Sequence, residues 1–518
     1  MHVAGSGAGQ ESTASGLISD LIHLSNSDIN FSSTAVLASE ANIQSIKEMR
    51  FGYYFRIKST SGDIDLTTPL HKMPEMGVFT SDIREELLSG KADIAVHSWK
   101  DLPVVLEEGT EIAATIKRAD PRDVLIFKKS SFKKKKLEIY TSSPRRQENL
   151  SKFLKKAFPF EINSFSFSDI RGNILTRVQK LKDSNADGLV IAKAALDRLL
   201  SPIEEITTEL DSFKKNLNGF LWMVIPCSQN PCAPGQGALA VEIKSGNKEV
   251  IELLNEINDL DVFKDVEEER KKLKKYGGGC HQKIGVSIEN HPLGKITTEK
   301  GLTPENELID KRFFSPFKKE LSGFKNPIED FYPKSKKDFK LFSRSKIDEG
   351  IKEIEAIKNS GLYISRASSI EKVRAIDLSN VIWTSGIENW FKLARKGIWV
   401  NGTSDSLGEE QSKPSSLLEE VNWFLVSHVD SESKDKKLIA TYKLVPEKEI
   451  EDLSKYTHFY WMSISSFKEA LKRFPSIENA EHSCGLGKTF DELNKLYPNK
   501  IKPFLNYEDW LEKVNEAK

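Results

Sequence analysis

The sequence predicts a multi-domain α/β protein, and two observations carry that prediction. The chain has 518 residues, enough for about three or four domains that each bury a core of their own. Short apolar runs alternate with amphipathic helical segments from Ile29 almost to the C-terminus, the rhythm of strands layered against helices. Lysine plus arginine equals aspartate plus glutamate, at 76 each. The whole chain therefore offers no charged face to nucleic acid or to a membrane, and any electropositive site must be local.

The opening, MHVAGSGAGQESTASG, has neither a basic n-region nor an apolar core, so it is no signal peptide. Its composition predicts a disordered leader over 1–28. A first unit follows, with strands expected at 53–57 and 92–96 and a helix at 79–88. Asp120-Pro121-Arg122-Asp123 punctuates its end. A second unit repeats the rhythm: strands at 124–127 and 137–141, a helix opening near Pro144, and a buried strand at 187–192. Lys133–Lys136 reads as a solvated loop. Pro231 to Glu242 is a loop feeding a strand, and 249–275 reads as a solvent-facing helical pair. A smaller unit runs to roughly Pro333, and 335–338 reads as a linker.

Beyond the linker the pattern doubles. Val381-Ile382-Trp383-Thr384-Ser385-Gly386 opens one half and Phe459-Tyr460-Trp461-Met462-Ser463-Ile464 the other. Each is followed by an amphipathic helix and then a glycine turn, at Gly402-Thr403-Ser404 and at Gly485-Leu486-Gly487-Lys488-Thr489. Two similar α/β lobes facing a cleft are expected. The last turn is no phosphate-binding loop, since it lacks the upstream glycine. No apolar run approaches the roughly 20 residues needed to span a bilayer.

Four cysteines, Cys227, Cys232, Cys280 and Cys484, show no close pairs. They fit a reducing compartment rather than a disulfide framework, and no metal site is expected. Cys280 stands in Tyr276-Gly277-Gly278-Gly279-Cys280-His281-Gln282-Lys283-Ile284-Gly285. Its glycines permit a sharp turn, and Lys274, Lys275, His281 and Lys283 can stabilise a thiolate. A buried, inert cysteine is the alternative. His97-Ser98-Trp99-Lys100-Asp101 follows a strand, and Ser142-Ser143-Pro144-Arg145-Arg146 sits where a strand gives way to a helix, a place that favours anions. Arg171, Arg177 and Arg198 repeat the theme. Singly, each is read as a surface arginine worth under about 1 kcal/mol; together they suit a substrate rich in carboxylates. Asp101 is the lone acid among them, either a stabiliser of a cationic intermediate or a helix N-cap before Leu102-Pro103.

The ordered motifs ADIAVHSWKDLPV, YTSSPRRQENL, DIRGNILTRVQKL, DGLVIAKAALDRL, APGQGALAVE and YGGGCHQKIGV resemble porphobilinogen deaminase, also called hydroxymethylbilane synthase, over roughly 29–333. The resemblance implies two periplasmic-binding-protein-like α/β domains (29–118 with 238–260, and 119–237) and a small α+β domain (261–333). It further implies a dipyrromethane cofactor held by a thioether to Cys280. Asp101 would assist loss of ammonia from porphobilinogen and stabilise the azafulvene-like cation that the growing chain attacks. Lys100, Arg145, Arg146, Arg171, Arg177 and Arg198 would bind acetate and propionate groups, with Ser142, Ser143 and Gln236 lining the site.

The chain also departs from that family. The basic, serine-containing turn near its N-terminus aligns with Phe31–Val36, which lacks the arginine. Met76 and Ser81 stand where lysines are usual. Residues 339–518 resemble uroporphyrinogen-III synthase more faintly, through Lys340–Arg344, the Trp383–Gly386 stretch, the Gly402 turn and 458–490. That implies a two-lobed α/β fold that closes hydroxymethylbilane, with Thr384, Ser385, Ser463 and Ser466 as ligand-binding hydroxyls. A cytoplasmic monomer acting on small molecules is expected. The rival expectations are a deaminase with a non-catalytic C-terminal module, and a two-lobed binding protein without enzyme activity.

Overall fold

The computed structural model describes residues 2–6, 54–57, 81–104, 106, 108–200, 208–277, 282–318, 323–324, 328–409, 417 and 420–516. The Phe31–Val36 turn, Met76 and Cys280 lie outside them. Two compact units emerge. One comprises 1–153, 161–288 and 298–310; the other comprises 154–160, 289–297 and 311–518.

The first unit is built on two five-stranded mixed sheets. Strands β1 (His2–Ser6), β2 (Tyr54–Ile57), β3 (Ile94–Ser98) and β4 (Thr110–Ala114), with helix α1 (Ser81–Leu88), belong to the first. The second takes β5 (Asp123–Lys128), β6 (Lys136–Tyr140), β7 (Ser164–Ser168), β8 (Gly188–Ala192) and β9 (Phe220–Ile225). Helices α2 (Pro144–Ala157), α3 (Ile174–Asp183), α4 (Lys193–Leu200) and α5 (Thr208–Leu217) lie between its strands in sequence. Strand β10 (Leu239–Lys244) then returns to the first sheet, antiparallel between β3 and β4. Strand β1 lies between β2 and β3, parallel to both. His2–Ser6 is therefore sheet and not disordered leader. Its backbone groups are satisfied by ladder partners far away in sequence, which composition cannot reveal.

Alternation along β10 explains why two helices flank this sheet. Leu239, Val241 and Ile243 pack with Val250 and Leu254 of α6 (Lys248–Asn255). Ala240, on the opposite face, packs with Val262 and Val266 of α7 (Leu260–Lys275). The charged pattern of α7 predicts a solvent-facing helix, yet Asp265, Glu269 and Arg270 are buried on it. Each of the last two has partners across the fold, so the pattern alone misassigns that face.

Strands β11 (Gly285–His291), β12 (Gly294–Leu302) and β13 (Leu308–Pro316) form a three-stranded sheet. Strand β14 (Phe331–Tyr332), placed by sequence in the small third domain, pairs instead with a C-terminal strand. Burial draws it there: Phe331 meets Trp510, and Tyr332 meets Phe459.

The second unit carries two largely parallel sheets. Its six-stranded sheet contains β15 (Phe342–Lys346), β16 (Gly361–Ile364), β17 (Val381–Thr384), β18 (Gly402–Thr403), β19 (Trp423–His428) and β20 (Lys437–Pro446), in the order β15-β20-β19-β16-β17-β18. Helices α8 (Asp348–Ala356) and α9 (Ile387–Ala394) connect them. The other sheet runs β14-β21-β22-β23, with β21 (His458–Trp461), β22 (Glu481–Gly485) and β23 (Lys502–Phe504), all parallel. Helices α10 (Ile464–Arg473), α11 (Lys488–Leu496) and α12 (Tyr507–Glu516) complete it. The sequence predicts a turn at Gly402; the structure has a short strand there. A Cβ on Gly402 would lie 2.2 Å from the Trp383 ring, so glycine is what lets β18 pair beside β17. Among the described residues no helix is long and apolar enough to cross a membrane.

Candidate active site

Strand β3 ends in a single 3-10 turn, Trp99–Asp101. Five contacts hold the backbone of this turn and of the two residues after it. The Trp99 amide donates to Ala238 O at 3.0 Å. Gly235 (φ +79°) packs so close that its Cβ would lie 3.2 Å from the Lys100 nitrogen, which explains one glycine of the Ala-Pro-Gly-Gln-Gly motif. From α7, Arg270 donates to Trp99 O and Leu102 O at 3.3 Å each and also to Pro103 O. Trp99 is buried beneath the turn, Lys100 is half-buried and Asp101 is exposed. Leu102 is extended and no helix follows it, so Asp101 is not the N-cap that spacing allows. Among the described residues nothing forms a hydrogen bond or ion pair with the Asp101 carboxylate.

Around this turn the structure collects cations. Burial lowers the Lys100 ammonium, and Arg146 and Arg177 push it further down while Asp101 and Asp123 oppose them. Arg177 is held down to about 10, first by burial and then by Arg146 and Arg171, again with Asp101 opposing. Lys100, Asp101, Asp123, Arg146, Arg171 and Arg177 thus share one electrostatic neighbourhood although they come from five separate stretches of chain. The loop carrying Arg171 is pinned by Ser142, whose Oγ accepts from Ile170 N at 2.9 Å and donates to Ile170 O at 3.0 Å. Asn173 caps α3 through Thr176 N, and Arg177 Nε donates to Gly172 O at 2.6 Å. Arg198 differs: burial alone lowers its guanidinium, with no contribution from this group.

Asp123, the first residue of β5, organises the other side of the cluster. Fully buried, it accepts from Arg146 Nη2 (2.6 Å) and Nε (3.0 Å) and from Arg145 Nη2 (3.0 Å). Asn230 Nδ2 (2.8 Å) and Gln236 Nε2 (2.9 Å) complete its shell. Burial would raise this carboxyl, but Arg146 and Arg145 hold it far below the usual carboxylate range. Arg145 spends its remaining donors on Asn230 Oδ1 and Pro231 O, and Arg146 reaches Val190 O. Ser143 Oγ accepts from the Arg146 amide at 3.5 Å at the start of α2. Arg145, Arg146 and Gln236 are therefore engaged by the protein itself, whereas Lys100 and Arg177 feel the Asp101 carboxylate and Arg171 acts on Arg177.

Two buried carboxylates escaped the sequence reading. Glu269 on α7 receives both Arg118 nitrogens, at 2.8 and 3.0 Å, and the Gly235 and Ile288 amides. It ties the glycine loop to β11. Glu242 on β10 is buried with Arg84 and His97 at 2.8 Å each; although burial raises its pKa, the His97 contact brings it down to about 2. The only sequence signal for Asp123 is the Asp-Pro-Arg-Asp stretch, which reads as mere punctuation.

Helix α7 leads toward Cys280. Gln282 Nε2 donates to Tyr276 O, joining the described ends of that segment. Gly285 packs against Pro231 O and Arg145 Cδ so closely that no Cβ would fit. Cys227, Cys232 and Cys484 are buried, and burial raises the Cys232 and Cys484 thiols. In the second unit, Thr384 is buried with its hydroxyl on Gly386 O, and Ser385 Oγ donates to Ser365 O at 2.8 Å. Ser463 caps α10 through Ser466 N and lies 2.9 Å from Ser466 Oγ.

Comparison with known proteins bears on the family of the chain. Residues 31–252 match the family model described as porphobilinogen deaminase, dipyromethane cofactor binding domain. A porphobilinogen deaminase of Bacillus anthracis (strain CDC 684 / NRRL 3495) is 37% identical over 249 residues, 47% of this chain and 72% of that protein. One from Prochlorococcus marinus (strain MIT 9515) is 35% identical over 249 residues, 45% of this chain and 69% of that protein. The crystal structure of YhfZ from Shigella flexneri, at 14% identity, covers 53% of this chain and 96% of its own, but its TM-score of 0.23 carries no argument. With relatives above one-third identity aligned over more than two-thirds of their own length, this chain belongs to the porphobilinogen deaminase family.

Proposed function

We propose that the first unit joins porphobilinogen units on a dipyrromethane primer, with Asp101 as the catalytic carboxylate. One observation carries this: Asp101 is exposed and, among the described residues, without hydrogen bond or ion pair, in the electrostatic neighbourhood of Lys100 and Arg177. Burial and neighbouring cations lower both of those groups, and a dipyrromethane bears four carboxylates, so the residues present fit that group. The primer supplies the free pyrrole α-carbon to which each unit is added. Lys100, Arg171 and Arg177 would hold its acetate and propionate groups. Asp101 would stabilise positive charge on the incoming pyrrole as ammonia leaves, and accept the proton released. Arg145, Arg146 and Gln236, fixed on Asp123, set the field and the shape rather than gripping substrate first. Cys280 is the proposed tether. Intact mass of the purified chain should exceed the sequence mass by one dipyrromethane, and Cys280→Ser should abolish the excess. An unmodified wild-type mass would overturn the proposal.

A second reading concerns residues 339–518. In both sheets of that unit a parallel strand passes through a hydroxyl-bearing turn into a helix: Thr384-Ser385 precede Gly386, the N-cap of α9, and Ser463, separated from its strand by one residue, caps α10 with Ser466 beside it. This arrangement favours a uroporphyrinogen-III synthase-like activity, in which those hydroxyls and helix amides receive the carboxylates of hydroxymethylbilane. Full-length protein should then yield the type III isomer, while a chain ending near Ser335 yields type I after spontaneous closure. Type I from both would leave a deaminase with a non-catalytic partner module.

A further inference from the structure

The second unit holds a cationic group that the deaminase chemistry does not use. From β16 the chain moves to one side, to β17 and β18, and then returns on the other side as β19. The carboxyl ends of β16 and β19 therefore flank the point where strand order reverses. Connections diverge from such a point and leave a crevice, where open parallel sheets bind ligands.

The side chains there are specific. Ser365 Oγ lies 2.9 Å from Ser427 Oγ, which lies 2.7 Å from Ser431 Oγ. Ser385 Oγ and Asn389 Nδ2 hold the Ser365 carbonyl at 2.8 and 3.0 Å, so the rim is rigid. Arg366 follows. Its guanidinium is half-buried and, among the described residues, has neither hydrogen bond nor ion pair. Burial lowers it, and the titratable groups that act on it include the Tyr442 phenol, neutral at ordinary pH, and a second cation, Arg344. At the end of β19, the buried Nδ1 of His428 has no hydrogen-bond partner among the described residues, and the exposed Asp430 carboxylate stands 3.9 Å away. The other charged groups that act on His428 are cations, Arg366 and Lys488. Lys488 is held nearby by Glu432 O at 2.6 Å. Arg366 and His428 are the half-buried basic groups of this crest, while Arg344 and Lys488 beside them are exposed, so an anion received here would meet cations already partly desolvated.

We propose that the crest of this sheet, at Ser365–Arg366 and Ser427–His428, is a binding site for a polycarboxylate. Arg366 grips one carboxylate through two parallel hydrogen bonds, and His428 meets a second group. The proposal rests on reading this unit as the receiver of the linear tetrapyrrole, which carries two carboxylates on each of four rings.

The test uses the full chain and uroporphyrin I, a stable octacarboxylate, with arginine labelling by phenylglyoxal read peptide by peptide. Saturating uroporphyrin I should cut labelling of Arg366 at least fivefold and leave the exposed Arg395 unchanged. In Arg366→Met, protection of His428 against diethyl pyrocarbonate should need at least tenfold more porphyrin, with Arg366→Lys in between. Unprotected Arg366, or protection by inorganic phosphate but not by the porphyrin, would overturn the proposal. An unshifted calorimetric transition of the second unit checks that the variant has folded. Isomer analysis separates the two ideas. Arg366 protection in a chain that makes only type I keeps the site and removes cyclisation, while type III product with Arg366 unprotected removes the site alone.

Discussion

Asp123 and Asp101 are the same side chain in opposite settings, and replacing Asp123 tests the account of the cluster most directly. Asp123→Asn keeps the shape but deletes the charge that Arg145 and Arg146 share through three hydrogen bonds of 2.6–3.0 Å. Both guanidiniums are buried, at 4% and 8% exposure, so neither can recover water in exchange. Leaving a buried charge without its partner costs about 3–5 kcal/mol. For a domain of this size that is roughly 6–20 °C in Tm. Urea unfolding followed by tryptophan fluorescence would read the loss as a lower midpoint at unchanged slope. The pH dependence has a definite sign. The folded carboxyl lies far below its ordinary value, so its stabilisation is present at neutral pH and disappears as pH falls below about 4. Wild type should lose stability in that range, and Asp123→Asn should lose less. A change under about 1 kcal/mol, the range of an exposed ion pair, would refute the hub.

Asp101→Ala should behave in the reverse way. With no hydrogen bond to lose, its unfolding should shift by no more than about 0.5 kcal/mol, while turnover of porphobilinogen falls about 10²-fold or more; unchanged turnover would remove Asp101 from the chemistry. Gly402→Ala should destabilise the second unit by at least about 1–3 kcal/mol, because the added Cβ meets the Trp383 ring at 2.2 Å. Its calorimetric transition should move down while porphobilinogen consumption stays near wild type. An unshifted transition would mean that β17 and β18 are not packed as described.

Much was legible in the residues because it is local. Strand–helix alternation follows from hydrophobic period; β5, β6 and β8 lie within a residue or two of their predicted spans, and α6 and α7 occupy the stretch expected to hold a helical pair. The candidate Asp101 and its basic company could be named because carboxylate-binding chemistry restricts residue type. The buried face of α7 could not be read, since Glu269 and Arg270 look solvated until Arg118, Gly235 and the Trp99 carbonyl arrive from elsewhere. Nor could β1 or β14 be placed, as neither has a pattern of its own and each exists through its ladder partners.

By itself the sequence determined the α/β rhythm, the family and Asp101 as a candidate acid, because period and chemical type are properties of neighbouring residues. Tertiary structure alone decided that Arg145, Arg146 and Gln236 close on Asp123 while Lys100 and Arg177 share the neighbourhood of Asp101. Which cation meets which carboxylate depends on burial and on distances between segments far apart in the chain, and linear spacing contains neither.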